Sequence, residues 1–221
     1  SLMLRSMNSG VSHAEEPNDS SSGGNDFYHQ VNHTLFALAM REWSLFHLRA
    51  GVGSVLSDCS CVADIAGGSG VFLSGLNSSL IRRKLLLDAS SETLLLSEVE
   101  ERHVADVFDA DSLRPIGGCE CVMMKGIVSD YNETRVRQLL SNVHGAMDVG
   151  AKLFLFDHFL HETLSDEMEA FRRHMDVMMR RMLGSKQYSV DDMKIIASDV
   201  GFSQIGVEKT NSPTIVMRMK K

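Results

Sequence analysis

The feature that most constrains the fold is Val62-Ala-Asp-Ile-Ala-Gly-Gly-Ser-Gly70, followed eighteen residues later by Leu85-Leu-Leu-Asp88. Cys61–Ile65 is apolar apart from Asp64 and reads as a buried strand. A glycine turn and Val71-Phe-Leu-Ser-Gly-Leu76, the start of a helix, come next. Glycines let a backbone approach a ligand closely, and a helix start offers unpaired N–H groups. The second strand ends in Asp88, where a carboxylate can accept both hydroxyls of a ribose. Together these signals predict a nucleoside-containing cofactor lying across the carboxyl ends of a parallel sheet.

Strand signals alternate with helix signals along the rest of the chain. Helices are expected over 26–50, from Val71 to about Ser79, over 90–100, over Glu133–Met147, over 165–183 and from Ser189 to Gly201. Strands are expected at Arg83–Asp88, Val104–Phe108, Cys119–Lys125 and Lys152–Asp157. Phe202–Lys209 and Thr214–Met219 close the chain as an antiparallel hairpin. This order gives the fold class α/β, a three-layer sandwich. Residues 1–25 are rich in Ser, Asn and Gly and read as a disordered low-complexity segment or a cloning scar. Residues 26–221 form one domain.

The motif D-x-A-G-G-S-G, rather than G-x-G-x-x-G, resembles the S-adenosylmethionine turn of the class I methyltransferases, so the sheet is expected to be Rossmann-like. More narrowly, the chain from Asp26 onward resembles the catalytic domain of the plant caffeate-type and hydroxyindole O-methyltransferases. The most specific likenesses are Asp64–Gly70, Asp88, Ala105-Asp-Val-Phe108, Lys125–Glu133 and His174–Lys186. The resemblance implies S-adenosylmethionine as cofactor and S-adenosylhomocysteine as product. It implies that Asp64, Ala66, Gly67, Gly68 and Gly70 line the methionine and ribose portions. Asp88 with Ala89 would hold the ribose, Asp106 and Val107 the adenine, and Lys125 the region of the reacting methyl, with Tyr131 stacking on the cofactor. Phe36, Met40, Met175, Met178, Met179 and Met182 would wall a small aromatic or polyketide-like acceptor; core packing is the competing reading of these side chains.

Three departures matter. Ala66 stands at the first motif glycine, tolerable where its φ is negative. Ser129 stands where the family carries its general-base histidine, and Asp157 and Gln187 replace the two glutamates that orient it. A hydroxyl does not take a proton at neutral pH as imidazole does. His158, His161 and His174 are alternative bases. Finally, only about 25 low-complexity residues precede the first expected helix where the family carries a helical amino-terminal domain. The chain is therefore expected to be a piece of a longer protein, to be covered by a second copy in a homodimer or by a partner domain, or to take a large acceptor.

The function implied is O-methylation of a small-molecule acceptor without the usual histidine. The competing readings are a cofactor-binding regulatory subunit and a non-methylating enzyme on the same scaffold. A net charge of −7 gives no footprint for nucleic acid, and no apolar run reaches membrane-spanning length. Cys59, Cys61, Cys119 and Cys121 are expected as free core thiols in a cytoplasmic setting, with a zinc site as the alternative, and no metal is predicted.

Overall fold

The computed structural model describes residues 33–77, 79–160 and 167–221. Seven strands form one sheet in the order β3-β2-β1-β4-β5-β7-β6. These are β1 (Cys61–Ile65), β2 (Arg83–Asp88), β3 (Glu101–Val104), β4 (Cys121–Lys125), β5 (Lys152–Asp157), β6 (Ser203–Lys209) and β7 (Ile215–Lys220). The first five run parallel, and β7 pairs antiparallel with both β5 and β6. The helices are α1 (His33–Arg49), α2 (Val71–Ser74), α3 (Ser91–Leu95), α4 (Glu133–Ala146), α5 (Glu167–Leu183) and α6 (Val190–Val200). The three-layer sandwich and the terminal hairpin are as expected.

Strand alternation divides the core between the two faces of the sheet. On one face Ala63, Ile65, Leu85, Val122, Met124 and Leu155 pack with Val136 and Leu140 of α4 and Met193 of α6. On the other, Val62, Leu86, Met123 and Phe156 pack with Phe72 and Leu73 of α2. Three helices start on side-chain caps, with Ser90, Asn132 and Ser189 accepting from Thr93, Arg135 and Asp192 N–H.

The structure corrects several boundaries. The first helix is described from His33, and residues 26–32 lie outside the described residues. The helix after the glycine turn is one turn, not nine residues, because Lys84 Nζ takes the carbonyls of Ser74 and Leu76 at 2.8 and 2.9 Å and ends it. The helix expected over 90–100 stops at Leu95, because the chain folds back to bury Val99. Strand β3 lies at Glu101–Val104, not Val104–Phe108. As an edge strand it is polar and mostly exposed, which hides it from an apolar-run reading.

The cysteines are a further correction. Among the described residues none is free: Cys59 pairs with Cys121 and Cys61 with Cys119. The bonds tie β1 to β4 at their amino ends. Cys61 and Cys119 belong to one face of the core, Cys59 and Cys121 to the other. Four sulfurs split across a sheet do not converge on one ion, so the zinc alternative fails. Among the described residues no helix is long and apolar enough to cross a membrane.

Candidate functional site

The order of the strands reverses between β1 and β4, which opens a crevice at the carboxyl ends of β1, β2, β4 and β5. These ends carry Asp64, Asp88, Lys125 and Asp157. The turn after β1 is closed by Gly67 N–H to Leu87 O and Gly70 N–H to Gly67 O. Gly67 packs so closely on Asp64 that a Cβ there would lie 2.5 Å from the carboxylate. Gly70 has a φ of 71°, and a Cβ there would meet Leu86 and Ser97 at 2.8 Å. Gly68 also has a positive φ, of 61°, but its Cβ direction is open beyond Thr93.

Ala66 overturns the expectation made for it. Its φ is 55°, in the left-handed region, so its methyl is carried in a strained conformation.

Asp88 is held by two backbone donors, Gly68 N–H at 2.8 Å and Ser90 N–H at 2.9 Å. Each carboxylate oxygen keeps a lone pair for a further donor. Burial pushes Asp88 up from the usual carboxylate range, against those two bonds. Asp64 is buried, its Oδ1 has no partner, and burial raises it to about 7, with Lys125 opposing and Asp88 reinforcing the rise. Lys125 lies over the Phe72 ring at 5.8 Å. Burial holds its ammonium down, while Asp64 and Asp157 pull it back up. A buried carboxylate with an unpartnered oxygen, Asp64, and a half-buried one with lone pairs to spare, Asp88, at a glycine turn fit a ligand that supplies hydroxyl and ammonium donors, as S-adenosylmethionine does.

Asp106 is exposed and accepts from Phe108 N–H at 2.9 Å, in the turn that follows β3, while Val107 is buried. Tyr131 packs edge-on against Phe108 at 5.0 Å. Its hydroxyl is raised to about 12 by burial first, with Asp130, Asp106 and Asp88 adding to the rise and Arg135 opposing it. Tyr131 therefore stands beside the same carboxylates. Ala89 follows Asp88 at the surface.

Ser129, expected from the resemblance at the histidine position, is buried in the 3-10 turn Val128–Asp130. Its Oγ donates to Asp157 Oδ1 at 3.1 Å, and its N–H to Asp157 Oδ2 at 3.3 Å. His158 N–H adds a third donor at 2.8 Å. Burial raises the Asp157 carboxyl despite these bonds and Lys125. Gln187 is buried elsewhere in the chain order, its N–H held by Asp176 of α5 at 2.8 Å and its Oε1 unpartnered. Sequence-distant Ser129 and Asp157 are thus brought together, whereas Gln187 is fixed to α5.

Of the alternative bases, His174 is exposed on α5, His161 lies outside the described residues, and His158 is buried. The His158 ring packs against Trp43 at 5.5 Å and Phe171 at 5.4 Å, joining α1, β5 and α5. Burial first, then Arg172 and Lys125, lower it to about 4. His47 was not foreseen. It meets Thr214 Oγ1 at 2.7 Å across 167 residues and is lowered to about 3 by burial, Lys125 and His158. No local sequence signal marks such a pair.

The pocket-lining candidates lie on α1 and α5, which meet where Trp43 stacks on Phe171 at 6.1 Å. Phe36, Met175, Met178 and Met179 are half-buried, and Met40 and Met182 are each 41% exposed. These two methionines are not core residues of the described chain.

Residues 28–203 match the O-methyltransferase domain family. The chain is 20% identical over 215 residues to O-methyltransferase 7 of Dictyostelium discoideum, covering 91% of this chain and 61% of that protein. It is 26% identical over 153 residues to O-demethylpuromycin-O-methyltransferase of Streptomyces alboniger, covering 66% of this chain and 40% of that one. Human N-acetylserotonin methyltransferase in complex with S-adenosylmethionine superposes with a TM-score of 0.73 at 15% identity, covering 86% of this chain and 55% of that one. Mitomycin 7-O-methyltransferase does so with a TM-score of 0.74 at 18% identity, covering 92% and 61%. The chain spans about 40–60% of the length of these two curated relatives.

Proposed function

Because this chain belongs to the O-methyltransferase domain family, we propose that it binds S-adenosylmethionine at the carboxyl ends of β1, β2 and β4 and transfers a methyl group to an oxygen of a small aromatic or polyketide-like acceptor. The observation that carries the reading is the glycine turn itself, set between buried Asp64, whose Oδ1 has no partner, and half-buried Asp88, with Lys125 as the cation facing Asp64.

In this reading Asp88 receives the ribose hydroxyls, and Asp64 with the Ala66–Gly70 turn receives the methionine portion. Asp106, Val107 and Tyr131 flank the adenine. When bound, the cofactor supplies an electrophilic methyl on a sulfonium. The protein's contribution is to hold the acceptor oxygen in line and to exclude water. Phe36, Met40, Met175, Met178, Met179 and Met182 would form the acceptor wall, since methionine adapts to a flat ring. The two exposed methionines would be covered by the acceptor, a second copy or a partner domain.

Calorimetric titration with S-adenosylhomocysteine tests the cofactor half. Micromolar binding, lost in Asp88→Ala, is the expected result, and absence of binding in the unsubstituted protein sinks the reading. Transfer of labelled methyl to a panel of phenols tests the other half. Binding without transfer to any acceptor would leave a cofactor-binding subunit instead.

A further inference from the structure

A methyl acceptor with a hydroxyl nucleophile must lose a proton, and the residue at the usual histidine position is a serine. That serine is not isolated. Ser129 Oγ donates to Asp157 Oδ1 at 3.1 Å, and both side chains are buried. A serine hydroxyl that donates to a carboxylate still has two lone pairs on its oxygen. It can accept a hydrogen from one side while passing its own to the other.

We propose that Ser129 and Asp157 form a proton relay that takes the acceptor's hydroxyl hydrogen in place of an imidazole. The inference rests on the methyl-transfer reading above. The acceptor oxygen gives an electron pair to the methyl carbon while the bond from that carbon to sulfur breaks, its pair remaining on sulfur. The acceptor's proton moves to Ser129 Oγ as the proton of Ser129 moves to Asp157 Oδ1. The new bond is oxygen to methyl, the sulfonium charge is cancelled, and the one proton released ends on Asp157, which returns it to solvent with product departure.

The surroundings of Asp157 suit it to that part. Its three donors, Ser129 Oγ–H, Ser129 N–H and His158 N–H, fix the carboxylate in one orientation. Burial moves its carboxyl toward the protonated form, so a proton delivered there is well received. Lys125 from β4 is the cation that faces it, and Asp64 lies beyond Lys125. The neighbouring imidazole of His158 is turned to Trp43 and Phe171 and is a poor proton acceptor at about 4.

The test uses the whole chain with S-adenosylhomocysteine and 4-nitrophenolate as the probe of the acceptor site. Calorimetry of probe binding in two buffers of different ionisation enthalpy counts the protons taken up. Two anions in one buried site capture a proton, so the unsubstituted protein takes up about one and Asp157→Asn close to none. Turnover with an active phenol should fall about 100-fold or more in Asp157→Asn and in Ser129→Ala. The double variant should fall no further than the worse single, because a relay acts as a unit. S-adenosylhomocysteine affinity should stay within threefold in all of them. Proton uptake unchanged by Asp157→Asn, or losses that multiply in the double variant, would overturn the relay while leaving the cofactor reading intact. Failure of the unsubstituted protein to bind S-adenosylhomocysteine would overturn both.

Discussion

The two ends of β1 and β4 obey opposite rules. At their amino ends the strands are joined by two disulfides, Cys59–Cys121 and Cys61–Cys119, one on each face of the sheet. There Glu120 accepts from Ser60 N–H, and Arg83 forms a fork with Glu101 at 2.6–2.8 Å. Groups at that end have their partners. At the carboxyl ends of the same strands sit buried Asp64 and half-buried Lys125, both displaced from their ordinary protonation ranges. One end has its bonding completed within the chain, whereas at the other Asp64 Oδ1 is buried without a partner. A pair of five-residue strands therefore carries both a fastening and a site, separated only by the strand length.

The comparison is broken most sharply at Lys125. Lys125→Met removes the cation facing both Asp64 and Asp157, and losing one partner of a buried charge pair costs about 3–5 kcal/mol. Urea denaturation should show that loss, together with loss of S-adenosylhomocysteine binding. A variant of unchanged stability would mean that the carboxyl end is as self-sufficient as the other.

At the amino end, opening the disulfides should cost about 2–4 kcal/mol each, since each closes a long loop, with sequence separations of 62 and 58 residues. Thiol titration of the unreduced, denatured chain should find none, and four after reduction. The reduced protein should melt lower yet bind S-adenosylhomocysteine with its former affinity. Four thiols before reduction would break the comparison outright, and a loss of affinity on reduction would show that the two ends are coupled.

Titration separates the two kinds of buried group at the site end. His47 and His158, at about 3 and about 4, stay neutral in the folded chain, while the unfolded chain gains their protons near 6.5. Their contribution is therefore complete above pH 6.5 and is lost as pH falls towards 4 and 3. Asp64, at about 7, keeps in the folded chain a proton that the unfolded chain gives up near 3.8, so its effect has the opposite sign. Stability falls through Asp64 as pH rises from about 4 to 7. Each group contributes a slope of at most about 1.4 kcal/mol per pH unit. His47→Gln should flatten the acid limb of urea midpoints measured between pH 4.5 and 6.5, and Asp64→Asn should flatten the limb that runs up to 7.

What was legible in the sequence follows the same division. The carboxyl-end residues announced themselves, because a charged residue closing an apolar run is a conspicuous local pattern, and Arg83–Asp88 and Lys152–Asp157 were bounded as expected. The Ser129–Asp157 bond spans 28 residues, but both positions could be placed on the family pattern. His47 with Thr214, 167 residues apart, could not. Strand β3 was misplaced because an edge strand need not be apolar. The cysteines read as packed core thiols because alternate strand positions share a face, and only the pairing of β1 with β4 on each face decides for disulfides.

The smallest effect bears on the turn that begins the site. Ala66 adopts a φ of 55°, where a Cβ crowds its own backbone at a cost of about 1–2 kcal/mol. Ala66→Gly removes that strain, but the unfolded chain gains freedom worth about 0.5–1 kcal/mol, so the net gain should lie between about 0 and 1.5 kcal/mol. The sign is the informative part. A stabilised variant with tighter S-adenosylhomocysteine binding would show that the alanine holds the turn slightly away from its binding form. A stabilised variant with unchanged binding would show the strain to be confined to the backbone. Destabilisation would mean that the methyl of this half-buried residue packs well enough to outweigh its strained φ, and the turn would then belong with the self-sufficient end of the strands.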